Sequence, residues 1–248
     1  MKNRAAVITG SAGSIGRALC EVFKAAGYKV IGIDIKDQDG LEADEWLHGD
    51  LIRFVADDEY RGRMLGAIKE AAGEAEISVL CNNAAEQRLA KTEDVSINDW
   101  QVSLDVNLTA PFLLVQGLLQ DLESAGGSVV NIASIHARLT KPEFVAYATT
   151  KSGLIGLTKA LAVDLGGRVR VNAVCPAAID TPMLREGFEG RSSSNLDSLR
   201  TCHPAGRIGQ PKEVAELALW LASPQASFVS GACYEIDGAI SSRLHDPV

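Results

Sequence analysis

The sequence predicts one α/β domain (residues 1–248) built as a doubly wound parallel sheet. Three observations carry this. Short β-branched apolar runs alternate with helix-spaced segments from end to end, the runs show little polar alternation, and no linker-like composition shift divides the 248 residues. Parallel neighbours need crossover helices, and a sheet covered on both faces reads as unbroken apolar runs. In order, residues 5–9 read as a buried strand, followed by Gly/Ser turn residues. A helix follows over 15–26, with Leu19, Val22 and Phe23 on one face and Gly27 as its stop. Residues 29–34 form a second strand, 46–48 a short third, 59–72 a helix and 77–82 the fourth strand. One long helix is expected over 97–122, a fifth strand over 128–133, another helix over 146–165 and a sixth strand over 168–174. A last helix over 212–222 precedes an extended run at 233–237. The small, polar stretch 187–195 (GFEGRSSSN) is the candidate mobile lid.

Lys and Arg number 24 against 32 Asp and Glu, a net charge of −8. That balance excludes nucleic acid or anionic membrane bound through bulk charge, but not local anion binding by backbone amides. No apolar run approaches the roughly 18 residues of a bilayer span, and the apolar stretch at 5–8 is too short for a signal peptide. The five cysteines (20, 81, 175, 202 and 233) are scattered, odd in number and without a CxxC. They read as reduced thiols of a cytoplasmic protein, and no metal site is expected.

Two constellations carry chemistry. The first is Thr9-Gly10-Ser11-Ala12-Gly13-Ser14-Ile15-Gly16, between the first strand and the first helix. Glycines there let the backbone reverse and approach a phosphate, which the helix N-terminus attracts. Asp34 ends the second strand, where a carboxylate accepts hydrogen bonds from an adenosine ribose and repels a 2′-phosphate, favouring NAD over NADP. Lys36 and Arg17 lie near enough to blur that preference. Asp50 is a candidate for the adenine edge. The structural alternative, a plain turn and a solvated aspartate, stays open at this point.

The second is Tyr147-Ala-Thr-Thr-Lys151, four residues apart on one helix face. A nearby ammonium favours the phenolate of a group whose ordinary pKa is near 10. Ser134 lies just beyond the fifth strand, at the edge where doubly wound sheets bind ligands. Asn107, polar among apolar neighbours in the long helix, could bridge a water to Lys151 or bond its own backbone.

Together these residues resemble the short-chain dehydrogenase/reductase family in its common form of about 250 residues. The resemblance rests on TGSAGSIG at 9–16, Asp34, Asn82-Asn-Ala-Ala85, Asn107, Ser134, Tyr147/Lys151, Val171-Asn-Ala-Val-Cys-Pro176 and Asp237-Gly-Ala239. It implies a Rossmann-like domain with a seven-stranded parallel sheet, an Asn107/Ser134/Tyr147/Lys151 tetrad and a homotetramer packed through two long helices. It also implies cofactor contacts at Gly10, Ser14, Ile15, Gly16, Asn83, Ala84, Tyr147, Lys151, Ile179 and Thr181. The sequence departs from the pattern at Ser14, where the family's middle glycine stands (here Gly13, one place early), and at Ala85, Ala177 and Ala239, each in place of glycine.

The chemistry expected is reversible hydride transfer between NAD(H) and a secondary alcohol or ketone, with Tyr147 as acid/base. Gln87 and His136 stand at offsets that resemble 3-hydroxybutyrate dehydrogenases of this family, where a Gln and a His help hold the substrate carboxylate. Those enzymes carry a lysine where this chain has Phe144, with Lys141 out of register. A small hydroxy acid and a sugar or polyol are both candidate substrates, and Arg138, Arg185 and Arg191 could also meet an anion. The alternatives are a reductase of carrier-linked 3-oxoacyl groups, against which Asp34 and the acidic balance count, and a non-catalytic NAD-binding scaffold.

Overall fold

The computed structural model describes residues 3–37, 40, 42–186 and 193–244. Seven parallel strands form one sheet in the order β3-β2-β1-β4-β5-β6-β7. They are β1 (Arg4–Thr9), β2 (Lys29–Asp34), β3 (Glu45–His48), β4 (Glu76–Asn82), β5 (Ser128–Ile132), β6 (Arg170–Pro176) and β7 (Cys233–Ile236). The central strands are buried on both faces. Ala5, Ala6, Val7 and Ile8 of β1 have no exposed surface, as the lack of alternation in their sequence requires.

Helices cover the two faces. Helix α1 (Ser14–Ala25) buries Leu19, Cys20, Val22 and Phe23, sharing one apolar cluster with Val214, Ala215, Ala218 and Leu221 of α10 (Pro211–Ala222). Pro at the first turn of α10 and reciprocal bonds between Gln210 and Glu213 start that helix. The other face is covered by α2 (Leu51–Ala56), α3 (Asp58–Ala72), α4 (Ile97–Leu104), α5 (Ala110–Gly117), α6 (Leu119–Ser124) and α7 (Val145–Leu165). Two further helices, α8 (Pro182–Glu186) and α9 (Ser193–Cys202), follow β6. Of the expected lid at 187–195, residues 187–192 lie outside the described residues, as does Arg191, and α9 begins at Ser193.

One expectation is corrected. The single helix expected over 97–122 is interrupted by a wider π turn, Asp105–Thr109, and again at Leu118. In that turn the Ala110 N–H reaches back five residues to the Asp105 carbonyl. Pro111 supplies a reason, since it has no N–H to offer the Asn107 carbonyl four residues before it. Periodicity did not reveal this, because the apolar spacing continues through the interruption.

Candidate active site

Every strand of a parallel sheet ends at the same edge, and the chain order reverses between β1 and β4. That reversal opens a crevice at the carboxyl ends of the strands. Its walls are tied by Thr9, whose hydroxyl accepts the N–H groups of Asn83 (3.0 Å) and Ala84 (3.1 Å). Asn83 returns the tie, its amide donating to the Thr9 and Gly10 carbonyls at 2.9 and 3.0 Å. Gly10 has φ +65°, and a Cβ there would lie 2.7 Å from Ala84 Cα. At Gly16 a Cβ would lie 2.0 Å from the Gly10 carbonyl oxygen, so only hydrogen fits. Gly13 is different. Its φ is −72°, and a Cβ would meet nothing nearer than 3.4 Å, so the displaced glycine and Ser14 leave the turn's shape intact.

Gly13 is the N-cap of α1 and brings no side chain to it, so no side chain caps the N–H groups at Ser14, Ile15 and Gly16. Beside them the Ser11 hydroxyl is buried with no hydrogen-bond partner among the described residues. Uncapped amides at the positive end of a helix, next to two glycines that hold the backbone open, fit a dinucleotide pyrophosphate. Asp34 stands over this turn. Its carboxylate accepts from the Ala12 N–H (2.8 Å) and the Lys36 N–H (2.9 Å), and each oxygen retains a lone pair. Asp50 caps α2, with Oδ1 accepting from Ile52 and Arg53. Arg17 donates its Nε–H to the Ala12 carbonyl at 2.9 Å.

The second constellation lies at the ends of β5 and α7. Ser134, buried, follows β5, and its hydroxyl lies near enough to the Tyr147 phenol to favour the phenolate. The Ser134 oxygen also accepts the His136 N–H at 3.2 Å. Lys151, only 2% exposed, donates to the carbonyl of Ile132 at 2.8 Å, and its Nζ lies 5.6 Å from the centre of the Tyr147 ring. Burial pushes the Lys151 ammonium down to about 8 and holds the Tyr147 phenol above its ordinary value, with the Ser134 hydrogen bond acting the other way.

Asn107 joins the group from the π turn. Its amide donates to the Glu86 carbonyl (2.8 Å) and the Thr150 hydroxyl (3.0 Å), and its Oδ1 accepts the Glu86 N–H at 2.8 Å. Both amide hydrogens are thus spent inside the chain. The side chain thereby clamps the loop after β4 to α7.

His136 stacks on Phe144, ring centres 4.1 Å apart and planes 8° apart, and meets Tyr147 edge-on at 5.8 Å. Burial and the neighbouring Lys141 push its imidazole down to about 4, so it is neutral at physiological pH. Gln87 is half-buried and makes no side-chain hydrogen bond among the described residues. After β6, Ile179 is buried and bridges Gly209, and the Thr181 hydroxyl accepts the Leu184 N–H at 3.2 Å. Ala239, one of the glycine replacements, adopts φ +67°, a left-handed conformation that favours glycine. Three contributors escaped the sequence reading: Thr9, Thr150 and Phe144 as a stacking partner. The first two sit inside recognised patterns, next to Gly10 and Lys151, and their hydroxyls were the available signal.

The chain matches the family model described as enoyl-(acyl carrier protein) reductase over residues 10–241. It is 34% identical over 252 residues to D-threitol dehydrogenase of Mycolicibacterium smegmatis, covering 98% of this chain and 95% of that protein. Its structure is similar to ligand-free aldohexose dehydrogenase of Thermoplasma acidophilum, with TM-score 0.91, 33% identity and coverage of 100% and 97% of the two chains. It is also similar to a gluconate 5-dehydrogenase of Burkholderia cenocepacia solved with NADP and tartrate, with TM-score 0.85, 28% identity and 98% and 97% coverage.

Proposed function

Because the chain belongs to the short-chain dehydrogenase/reductase family, and so is a nicotinamide-dependent oxidoreductase of alcohol or ketone groups, we propose that Tyr147 is its acid/base and NAD its cofactor. The observation that carries the reading is the convergence of Ser134, Tyr147 and Lys151 at the end of β5, on the same edge of the sheet as the uncapped N-terminus of α1.

In this reading the amides at Gly10, Ser14, Ile15 and Gly16 hold the pyrophosphate. Asp34 holds the adenosine ribose, with Asp50, Asn83 and Ala84 toward the adenine side. Both Asp34 oxygens keep acceptor capacity beyond the two backbone bonds they make, which supports a ribose diol over a 2′-phosphate. Tyr147 and Lys151 face the nicotinamide ribose, and Ile179 and Thr181 face the carboxamide. When bound, the nicotinamide supplies the acceptor for the hydride leaving the carbinol carbon.

The protein's own residues handle the proton. Ser134 donates to the substrate oxygen and orients it toward Tyr147. Tyr147 takes the hydroxyl proton as the carbonyl forms, and returns one in the reverse direction. Lys151, held by the Ile132 carbonyl, remains mostly charged at neutral pH and stabilises the phenolate that this exchange needs. Asn107 acts by fixing the Glu86 backbone and Thr150, which in turn donates its hydroxyl hydrogen to the Tyr147 carbonyl at 2.8 Å.

The test is Tyr147→Phe. Turnover should fall by roughly a thousandfold, while NADH binding, followed by its fluorescence, stays unchanged. Retained turnover overturns the assignment, and an enzyme inert toward every alcohol and ketone while still binding NADH favours the scaffold reading.

We also infer a homotetramer in the reducing cytoplasm. Ile97, Phe112, Val145 and Val163 on α4, α5 and α7, and Trp220 and Phe228 beside β7, are apolar and exposed, which supports burial against further copies. All five cysteines are free, in keeping with that compartment. Light scattering on the purified chain should give four times the chain mass.

A further inference from the structure

We propose that the substrate is a neutral polyhydroxylated carbon chain, a polyol or an aldose, and that the mouth of the site is built to refuse a carboxylate. The proposal rests on the oxidoreductase reading above and narrows it to a substrate class.

A carboxylate taken out of water needs a cation to receive it, because the uncompensated charge costs several kcal/mol. Among the described residues, the guanidinium groups around the ends of β4, β5 and β6 are already paired with carboxylates. Arg88, in the loop after β4, pairs with Glu86 at 3.1 Å and with Asp99 at 3.8 Å. Arg138, two residues beyond His136, pairs with Glu235 of β7. Arg185 binds Asp180 through two nitrogens, at 2.8 and 2.9 Å. Lys141 lies 4.7 Å from the centre of the Phe144 ring and lines a separate cleft, and Lys151, which donates to the Ile132 carbonyl, is committed in this reading to the phenolate and the nicotinamide ribose. Lys91 lines, with Lys141 and Glu143, a cleft of about 290 Å³ whose walls do not include Ser134, His136 or Tyr147.

Among the described residues beside Ser134 and Tyr147, His136 is the remaining basic group, and its surroundings keep it uncharged. One face is covered by Phe144, Tyr147 stands at an edge, and Lys141 adds positive charge nearby. Its Nδ1 is paired with the Thr140 hydroxyl at 3.1 Å, and its Nε2 makes no hydrogen bond among the described residues. A neutral imidazole nitrogen beside the Tyr147 ring suits a second hydroxyl of a substrate whose first hydroxyl lies on Ser134 and Tyr147. A site that expects this hydroxyl also disfavours plain alkanols, which leave its buried polar groups unpaired.

The experiment compares three series of equal chain length with NAD at neutral pH: polyols and aldoses, the corresponding hydroxy and aldonic acids, and simple secondary alkanols. For the best neutral polyhydroxylated compound, kcat/KM should exceed that of the best acid and the best alkanol by about a hundredfold or more. Equal or better turnover of an acid or an alkanol overturns the proposal and leaves the oxidoreductase reading standing. Turnover of none of the three series overturns it too.

Three variants and one binding measurement locate the cause. Glu235→Gln, which releases Arg138, should move the acid-to-polyol ratio by about tenfold toward the acid, and an unmoved ratio counts against the pairing argument. His136→Phe should raise KM for the polyol by about tenfold with a smaller effect on kcat and none on NADH binding, and His136→Gln should restore most of it. Calorimetry on the inert Tyr147→Phe protein saturated with NAD should show the polyol binding and the aldonate failing to bind. The reverse order overturns the proposal without reference to turnover. Persistent activity in Tyr147→Phe instead strikes the oxidoreductase mechanism itself, so the two failures are distinguishable.

Discussion

The cofactor cradle and the substrate mouth lie side by side at one edge of the sheet, yet they are held by different kinds of force. The cradle is almost entirely backbone. Thr9 and Asn83 bond main-chain groups of each other's strands, Asp34 accepts main-chain N–H groups, and Gly10 and Gly16 let two segments approach closer than any Cβ allows. The mouth is almost entirely side chain, with His136 stacked on Phe144, Tyr147 edge-on, and Arg138 held by Glu235. A backbone cradle recognises what dinucleotides share and tolerates little change. A side-chain mouth can be rebuilt without disturbing the fold, which is how one scaffold serves many substrates.

That contrast can be broken or sharpened by substitution. The largest effect is expected from Gly16→Ala, whose Cβ would fall 2.0 Å from the Gly10 carbonyl oxygen. NADH binding should weaken by about a hundredfold or more, and stability should drop by roughly 1–3 kcal/mol as the turn is forced open. Gly13→Ala is the internal control. With nothing nearer than 3.4 Å and an ordinary φ, it should change NADH affinity less than about threefold and stability by under about 0.5 kcal/mol. If the two variants behave alike in fluorescence titration and thermal melts, close approach is not what makes the cradle.

Asn83→Ala removes two donors that hold carbonyls of the cradle, and should cost about 1–3 kcal/mol in denaturant unfolding, with a parallel loss of NADH affinity. A change in affinity without a change in stability would give Asn83 a direct contact with the cofactor in place of a structural one.

The last effect concerns the mouth and is silent at neutral pH. The His136 imidazole is pushed down to about 4 in the folded protein, against about 6.5 when unfolded. Between those values the unfolded chain binds the proton and the folded chain does not, so this group lowers stability as pH falls from 6.5 toward 4. His136→Phe should flatten that part of the stability profile while leaving the region above pH 7 unchanged, and urea unfolding at stepped pH would read it. A variant with the same acid limb as the parent would mean that the folded imidazole titrates normally.

Legibility followed the range of the interaction. Strand positions were readable to within about two residues, because burial on both faces leaves a local signature in Ala5–Ile8 as in Val129–Ile132. Helix α7 and its Tyr147/Lys151 pair were readable for the same reason, since a spacing of four residues is a local fact. The π turn was not, because the apolar pattern of 97–122 runs through it and only Pro111 hinted at a missing hydrogen bond.

The amino-acid order alone determined the alternation of strands and helices, the glycine turn, the acid at the end of β2 and the spacing of the reactive side chains. These depend on residues a few positions apart, or on average composition. Only the tertiary structure decided that the Asn107 amide is spent on Glu86 and Thr150, that Arg138 is neutralised by Glu235 nearly a hundred residues away, and that His136 carries no charge. The physical reason is that hydrogen bonding and ionisation answer to neighbours in space, and in a parallel sheet the neighbours that matter arrive from strands distant in sequence.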